Sequence, residues 1–306
     1  MGSLTISVLG HRDYAKNIGK RGTSSDITLY NLKSGNSVIT AIEPSSYPEK
    51  LSSLFHSASM SDFVVFVVDS FDAEFAEMVM MLDALDKRDG VFITEDSERV
   101  AKFVKGTSVE NFSFMKNDPI ALREALLKMS GKEKGTGEDG GAVVIDHFFK
   151  VKGVGTVILG IVSSGCVKKH DELTLFPLNK RVHIRSVQEQ DMDYEKACAG
   201  DRVGLALKGV EPEEIERGYI LSSREIRCLS EIDAKLEVNR FYKREIKGMM
   251  HIGCGLQFLP ARVKDFDGST ISLELEKEEP IALYDRMILC DLSAPKPRIV
   301  GKLAYE

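Results

Sequence analysis

Between Asp146 and Phe176 apolar and polar positions alternate, and glycines punctuate the run. Val157, Leu159 and Ile161 fall at every second place, as in a strand with one buried face. Gly160 and Gly165 stand where a barrel strand must bend or turn. Three further short runs follow: Glu172–Leu175, Val182–Val187 and Ala199–Leu205. Short strands at this spacing predict a small closed antiparallel barrel. An ordinary barrel with no site of its own meets the same spacing.

The first third has another rhythm. Leu4–Leu9 reads as a buried first strand, and Phe63–Val68 is continuously apolar up to Asp69, which suits a central parallel strand covered on both faces. Ala73–Leu85 carries apolar residues at helical spacing, and Gly90–Ile93 reads as the next strand. Helices are expected over Arg99–Val104 and Ile120–Met129, with Phe112–Phe114 as a short strand between them. Strands alternating with helices predict a doubly wound α/β sheet. Ser130–Gly141 is polar and glycine-rich and reads as a linker. Beyond Ser223, strand-like runs recur at Ala234–Val238, His251–Gln257, Ala261–Val263, Ile271–Leu275, Ile281–Leu283 and Met287–Leu289. The predicted domains are 1–130, 142–223 and 224–306.

Composition narrows the classes. A chain of 306 residues with 43% hydrophobic residues has ample core for two or three domains. Phe63–Val68 is far too short to span a bilayer, and Met1–Leu9 lacks a basic start, so neither a membrane span nor a signal peptide is expected. The five cysteines are scattered, with no CxxC pair. No metal site is expected from them, and isolated cysteines fit a reducing cytoplasm. Net charge is −6, so any RNA partner must be held by local basic patches; DNA is not expected.

The first strand runs into Gly10-His11-Arg12-Asp13-Tyr14-Ala15-Lys16-Asn17, where a phosphate-binding loop would lie. Such a loop needs G-x-x-x-x-G-K-[ST]: the second glycine lets backbone N–H groups close on phosphates, the lysine reaches them, and the hydroxyl holds magnesium. Gly10 and Lys16 are in place, but Ala15 replaces the glycine and Asn17 the hydroxyl. If position 15 needs a left-handed backbone, its Cβ costs roughly 1–2 kcal/mol. An Asn17 amide meets magnesium only imperfectly.

The motifs VKGVGTVILGIVSSGCVKKHDEL, IRSVQ, AGDRVGLALKGV and IERGYIL occur in order from Val151 to Leu221. They closely resemble the second domain of the EF-Tu and SelB translation factors. The resemblance implies a doubly wound G-like domain followed by two antiparallel β-barrel domains. GHRD at Gly10 is similar to the GHVD opening of that family. Thr23–Thr28 then follows almost at once, so the first switch is shortened or missing and reads as a Ser/Thr turn feeding a strand Ile27–Tyr30. After the strand at Val38, the family's D-x-P-G-H is matched by Glu43, Ser46 and Tyr47, all three changed. There the aspartate holds magnesium, the glycine N–H meets the γ-phosphate and the histidine orients water. The family's N-K-x-D falls at Thr94-Glu95-Asp96-Ser97, which implies loss of guanine specificity.

The resemblance thus implies a degenerate GTPase-like domain with no catalytic residue. Gly10, Asp13, Lys16 and Asn17 are expected to bind phosphate or nucleotide weakly at a helix start, with neither GTP nor magnesium held as a tight cofactor. The implied partners are aminoacyl-tRNA or tRNA, and the ribosome. By resemblance Gln188 falls where an acid packs on the terminal adenosine, Gln190 and Asp191 where EF-Tu has a His-Arg pair, and Arg202 beside the esterified amino acid. Arg181, His183 and Arg185 alternate on one strand and share a face. Tyr242-Lys243-Arg244-Glu245-Ile246-Lys247 is a second basic candidate, with an aromatic inside it, as RNA backbones favour. The lost motifs are most similar to the archaeal SelB-like branch proposed to serve pyrrolysine. An active GTPase with divergent motifs and a protein-binding scaffold remain open readings.

Overall fold

A computed structural model describes residues 2–35, 37–130, 140–189 and 192–305. In the first domain seven strands form one sheet: β1 (Gly2–Leu9), β2 (Lys20–Ser24), β3 (Thr28–Ser34), β4 (Ser37–Glu43), β5 (Phe63–Val67), β6 (Gly90–Ile93) and β7 (Ser113–Met115). Their order is β2-β3-β4-β1-β5-β6-β7. From β4 to β7 all neighbours are parallel, while β2 and β3 add an antiparallel hairpin. Helices α1 (Leu51–Ser59), α2 (Ala73–Ala84), α3 (Ser97–Val104) and α4 (Pro119–Ser130) complete the domain. β5 is apolar throughout because helices cover both faces of the sheet: Phe66 packs with Phe75 of α2, and Val65 with Leu122 and Leu126 of α4. Asp72 caps α2 by accepting from the Glu74 and Phe75 N–H groups.

The expected helix after the phosphate loop is absent. Tyr14–Asn17 makes one 3-10 turn, and β2 begins at Lys20. The turn carries no helix dipole of consequence, which removes that support for an anion. The expected strain at Ala15 is absent too, since the left-handed residues are Gly10 (φ 88°) and Asp13 (φ 66°). Gly10 is required there: a Cβ would lie 1.8 Å from the Val67 carbonyl oxygen.

The second domain is a six-stranded ring. Ala142–Val151 pairs with Gly155–Ser164, then Arg202–Lys208, Lys180–Glu189, Glu172–Phe176 and Ile220–Ser222, which returns to the start. The third is a closed barrel of Glu231–Val238, Thr270–Leu275, Gln257–Phe266, Gly248–Cys254, Met287–Cys290 and Ile299–Ala304. The cysteines depart from the sequence expectation. Cys166 and Cys198 face each other on two short antiparallel strands and form a disulfide, 32 residues apart in the chain. Their separation hid a pairing that only the barrel topology creates. Gln190, Asp191 and Gly131–Asp139 of the linker lie outside the described residues.

The three domains share cores. Ile27, Leu29 and Ile42 of the first pack with Val144, Phe176 and Ile220 of the second and Leu256 and Ala282 of the third. Ile288, Cys290 and Ile299 of the third barrel join the core beneath α1 and α2. Gly253 lets Phe55 approach: a Cβ there would meet its ring at 2.7 Å.

Candidate functional site

The phosphate-loop region opens on a pocket of about 440 Å³ lined by Gly10, Asp13, Arg21, Tyr30, Glu43 and Tyr47, among others. Its polar groups are turned on one another. Lys16 pairs with Asp13 at 2.9 Å, both more than half exposed. Glu43 is buried, and its Oε1 accepts from the Ala15 N–H at 2.7 Å. The Ser46 N–H, which the resemblance set against a γ-phosphate, donates to the Asp26 carbonyl at 2.9 Å. Tyr47 is buried and donates its hydroxyl to the Glu74 carbonyl. Burial and the nearby Glu77 carboxylate push its phenol far up, so it stays protonated. Tyr14 is buried and bonds through its hydroxyl to Asn117 Oδ1 at 2.8 Å, bridging the loop to the segment after β7. Asp96 accepts from the Arg99 N–H and caps α3. Asn17 is exposed.

A second opening, about 860 Å³, lies where all three domains meet. Lys50 and His56 come from the first domain, Asp146, His147 and Arg217 from the second, and His251, Phe258 and Lys277 from the third. A bulge after Ile145 takes Asp146 out of the strand ladder and turns it inward. Its Oδ1 holds His147 Nδ1 at 2.7 Å and Arg202 Nη2 at 2.9 Å, while Oδ2 and Arg202 Nε are buried without partners. Burial works to raise the Asp146 carboxyl, but the Arg202 charge and the His147 hydrogen bond hold it low and ionised.

Arg217 crosses between domains. Its Nη1 donates to Asp26 Oδ1 at 2.6 Å, and Asp26 Oδ2 meets His56 Nδ1 at 3.2 Å. Burial raises Asp26, yet the His56 and Arg217 hydrogen bonds outweigh it and keep the carboxylate charged. Burial pushes His56 down towards the neutral form. His251 stacks on Phe258 with ring centres 5.4 Å apart, and its Nδ1 has no partner.

The sequence candidates for RNA contact lie elsewhere than this opening. Arg181 is exposed and pairs with Glu172 at 2.8 Å; Arg185 donates to the Val154 carbonyl at 2.8 Å. Gln188 bonds to Asp193. Arg202 is mostly buried on Asp146, so its head is committed within the barrel. Lys243 is exposed, and Arg244 donates to the Ser293 carbonyl. Tyr242, the aromatic inside that basic run, is buried and donates to Asp291 Oδ2 at 2.9 Å, so it is not offered to RNA. Sequence reading missed Asp26, His56, Asp146, His147 and Arg217. The adjacent acid and base that interrupt an alternating strand at Asp146-His147 were the available signal. Among the described residues no three His, Cys, Asp or Glu side chains are grouped to hold a metal ion. Among them, too, no helix is long and apolar enough to cross a membrane.

Residues 155–222 match the family model of elongation factor Tu domain 2. The chain is 36% identical to an uncharacterized protein of Methanocaldococcus jannaschii, over 98% of this chain and 99% of that protein. It is 30% identical to the selenocysteine-specific elongation factor of the same organism, over 89% of this chain but only 63% of that protein. In structure it is similar to elongation factor SelB of Methanococcus maripaludis in complex with GppNHp, with a TM-score of 0.82 at 23% identity, covering 100% of this chain and 79% of that one. A bacterial selenocysteine-specific factor gives a TM-score of 0.81 at 18% identity, covering 100% of this chain and 58% of that one.

Proposed function

This chain belongs to the SelB/EF-Tu-type family of translation elongation factors, and on that premise we propose that it binds aminoacyl-tRNA or tRNA without a GTP-driven switch. One observation carries the reading: the groups that would answer a γ-phosphate are already engaged inside the protein. The Ser46 N–H is on Asp26, the Ala15 N–H is on Glu43, and Tyr47 is buried against α2. A ligand with no differential contact to two states cannot shift their balance. The domains are meanwhile fastened by a half-buried pair, Arg217 to Asp26, and a buried one, Arg298 to Glu77. The tRNA acceptor end lies in the cleft between the first domain and the first barrel, and the ribosome is a further partner.

Affinity comes from phosphate contacts by exposed basic side chains, with Arg181, Arg185, Lys243 and Arg244 the candidates. Binding of this kind weakens steeply with salt. The test is tRNA binding over a salt series for the native chain and for Arg185→Ala with Lys243→Ala. The log–log salt slope should fall by about two units, one for each lost contact. An unchanged slope moves the RNA site elsewhere, and no binding at any salt favours a protein-binding scaffold. No GTP hydrolysis above background is expected; turnover abolished by Lys16→Ala would restore the active GTPase reading.

A further inference from the structure

The phosphate-loop pocket carries a carboxyl group of its own, which burial pushes up and nearby donors pull back towards the charged form. Glu43 ends β4 and is only 5% exposed. The Ala15 N–H donates to its Oε1 at 2.7 Å, and the Asp13 N–H and the Tyr30 hydroxyl lie close enough to favour its charged form. Burying a carboxylate is costly unless hydrogen bonds replace its water. Here one loop N–H bonds it directly, with the Asp13 N–H and the Tyr30 hydroxyl beside it. No lysine or arginine pairs with it among the described residues, and Lys16 is turned to Asp13 instead. Oriented backbone N–H groups of this kind make an anion-binding concavity.

We propose that Glu43 is an internal occupant of this loop: its carboxylate takes the place a phosphate oxygen would take and holds the loop in its engaged shape with no nucleotide. A phosphate that enters must displace it, which makes native anion binding at Gly10–Asn17 weak. The inference rests on reading the first domain as a degenerate nucleotide site, and it adds the side chain that closes that site. The remaining volume beside Glu43, walled by Arg12 and Arg21, leaves room for the displacing group.

The test uses the full chain and inorganic pyrophosphate, titrated by calorimetry into native protein, Glu43→Ala and Glu43→Gln. Removing a charged hydrogen-bonded competitor should tighten pyrophosphate binding by about ten- to a hundredfold in Glu43→Ala. Glu43→Gln keeps the shape and drops the charge, so it folds even if alanine leaves too large a hole. It should tighten binding by at least about threefold. Folding of each variant is checked by circular dichroism. The inference is overturned if a folded variant binds no more tightly than the native chain, or if the native chain already binds as tightly as Glu43→Ala. No tRNA is present in the titration. A gain in pyrophosphate affinity by a protein that fails to bind tRNA would sink the tRNA reading and leave this one standing.

Discussion

The first domain has two polar faces that are built in opposite ways. On the nucleotide side the ionised pair Lys16–Asp13 is local and more than half exposed. On the side facing the barrels the pairs are long-range, and the central one is desolvated. Glu77 of α2 is fully buried, and Arg298 of the third domain meets it through Nε at 2.9 Å and Nη2 at 2.6 Å. Lys296 and Lys302 reach Glu74 and Asp83 on the same helix. An exposed pair at short range contributes roughly 0–1 kcal/mol, whereas breaking a buried one costs far more. The difference teaches that the strongest polar tie of this domain runs to the third domain and not across its own loop.

The sharpest way to break that contrast is to cut the buried side. Arg298→Ala leaves Glu77 charged and unpaired in the core, and should destabilise the junction by about 3–5 kcal/mol, read as a lowered denaturation midpoint. Lys16→Ala should shift the same midpoint by less than about 1 kcal/mol. Equal effects from the two variants would erase the distinction between the faces.

A smaller effect is expected where the first domain meets the first barrel. Burial, then the neighbouring Asp201 carboxylate, pushes the Glu189 carboxyl from 4.5 up to about 7. The folded chain therefore takes up a proton between about pH 7 and pH 4.5 that the unfolded chain does not hold, so acidification stabilises it. His56, held down by burial, works the other way below its ordinary value, so the difference between native protein and Glu189→Gln is the informative quantity. At about pH 8 the glutamine variant should melt higher by a few degrees, on the order of 2–4 °C, with the gap closing towards about pH 5. A gap independent of pH would place Glu189 in a more solvated setting.

Much of the fold was legible. Phe63–Val68 and Gly90–Ile93 announced parallel strands through unbroken apolar content, and the alternation around Val157–Ile161 announced the barrel. Helix α1 was not read, because its serines (Ser52, Ser53, Ser57, Ser59) dilute the apolar stripe; Ser53 and Ser57 are buried and bond to the Asp26 and Ile42 carbonyls. The β2–β3 hairpin was half read, since Lys20–Ser24 is polar and carries no pattern. The departures from the loop motifs could be seen residue by residue in Ala15, Asn17, Ser46 and Tyr47. That Glu43 turns into the loop could not, because a substituted motif position says which side chain is present and not where it points. The interdomain cluster of Asp26, His56 and Arg217 was hidden for the same reason that the Cys166–Cys198 pair was: partners far apart in sequence are joined only by topology.

The smallest expected effect is also the most decisive. Equilibrium binding of tRNA to the native chain should be measured with and without GTP and magnesium, at one fixed salt concentration. The two affinities should agree within about twofold, because the Ser46 N–H, the Ala15 N–H and Tyr47 are already engaged inside the protein. A gain on adding GTP in the range of about 5- to 150-fold, usual for coupled sites, would mean that the switch still works and would contradict the account.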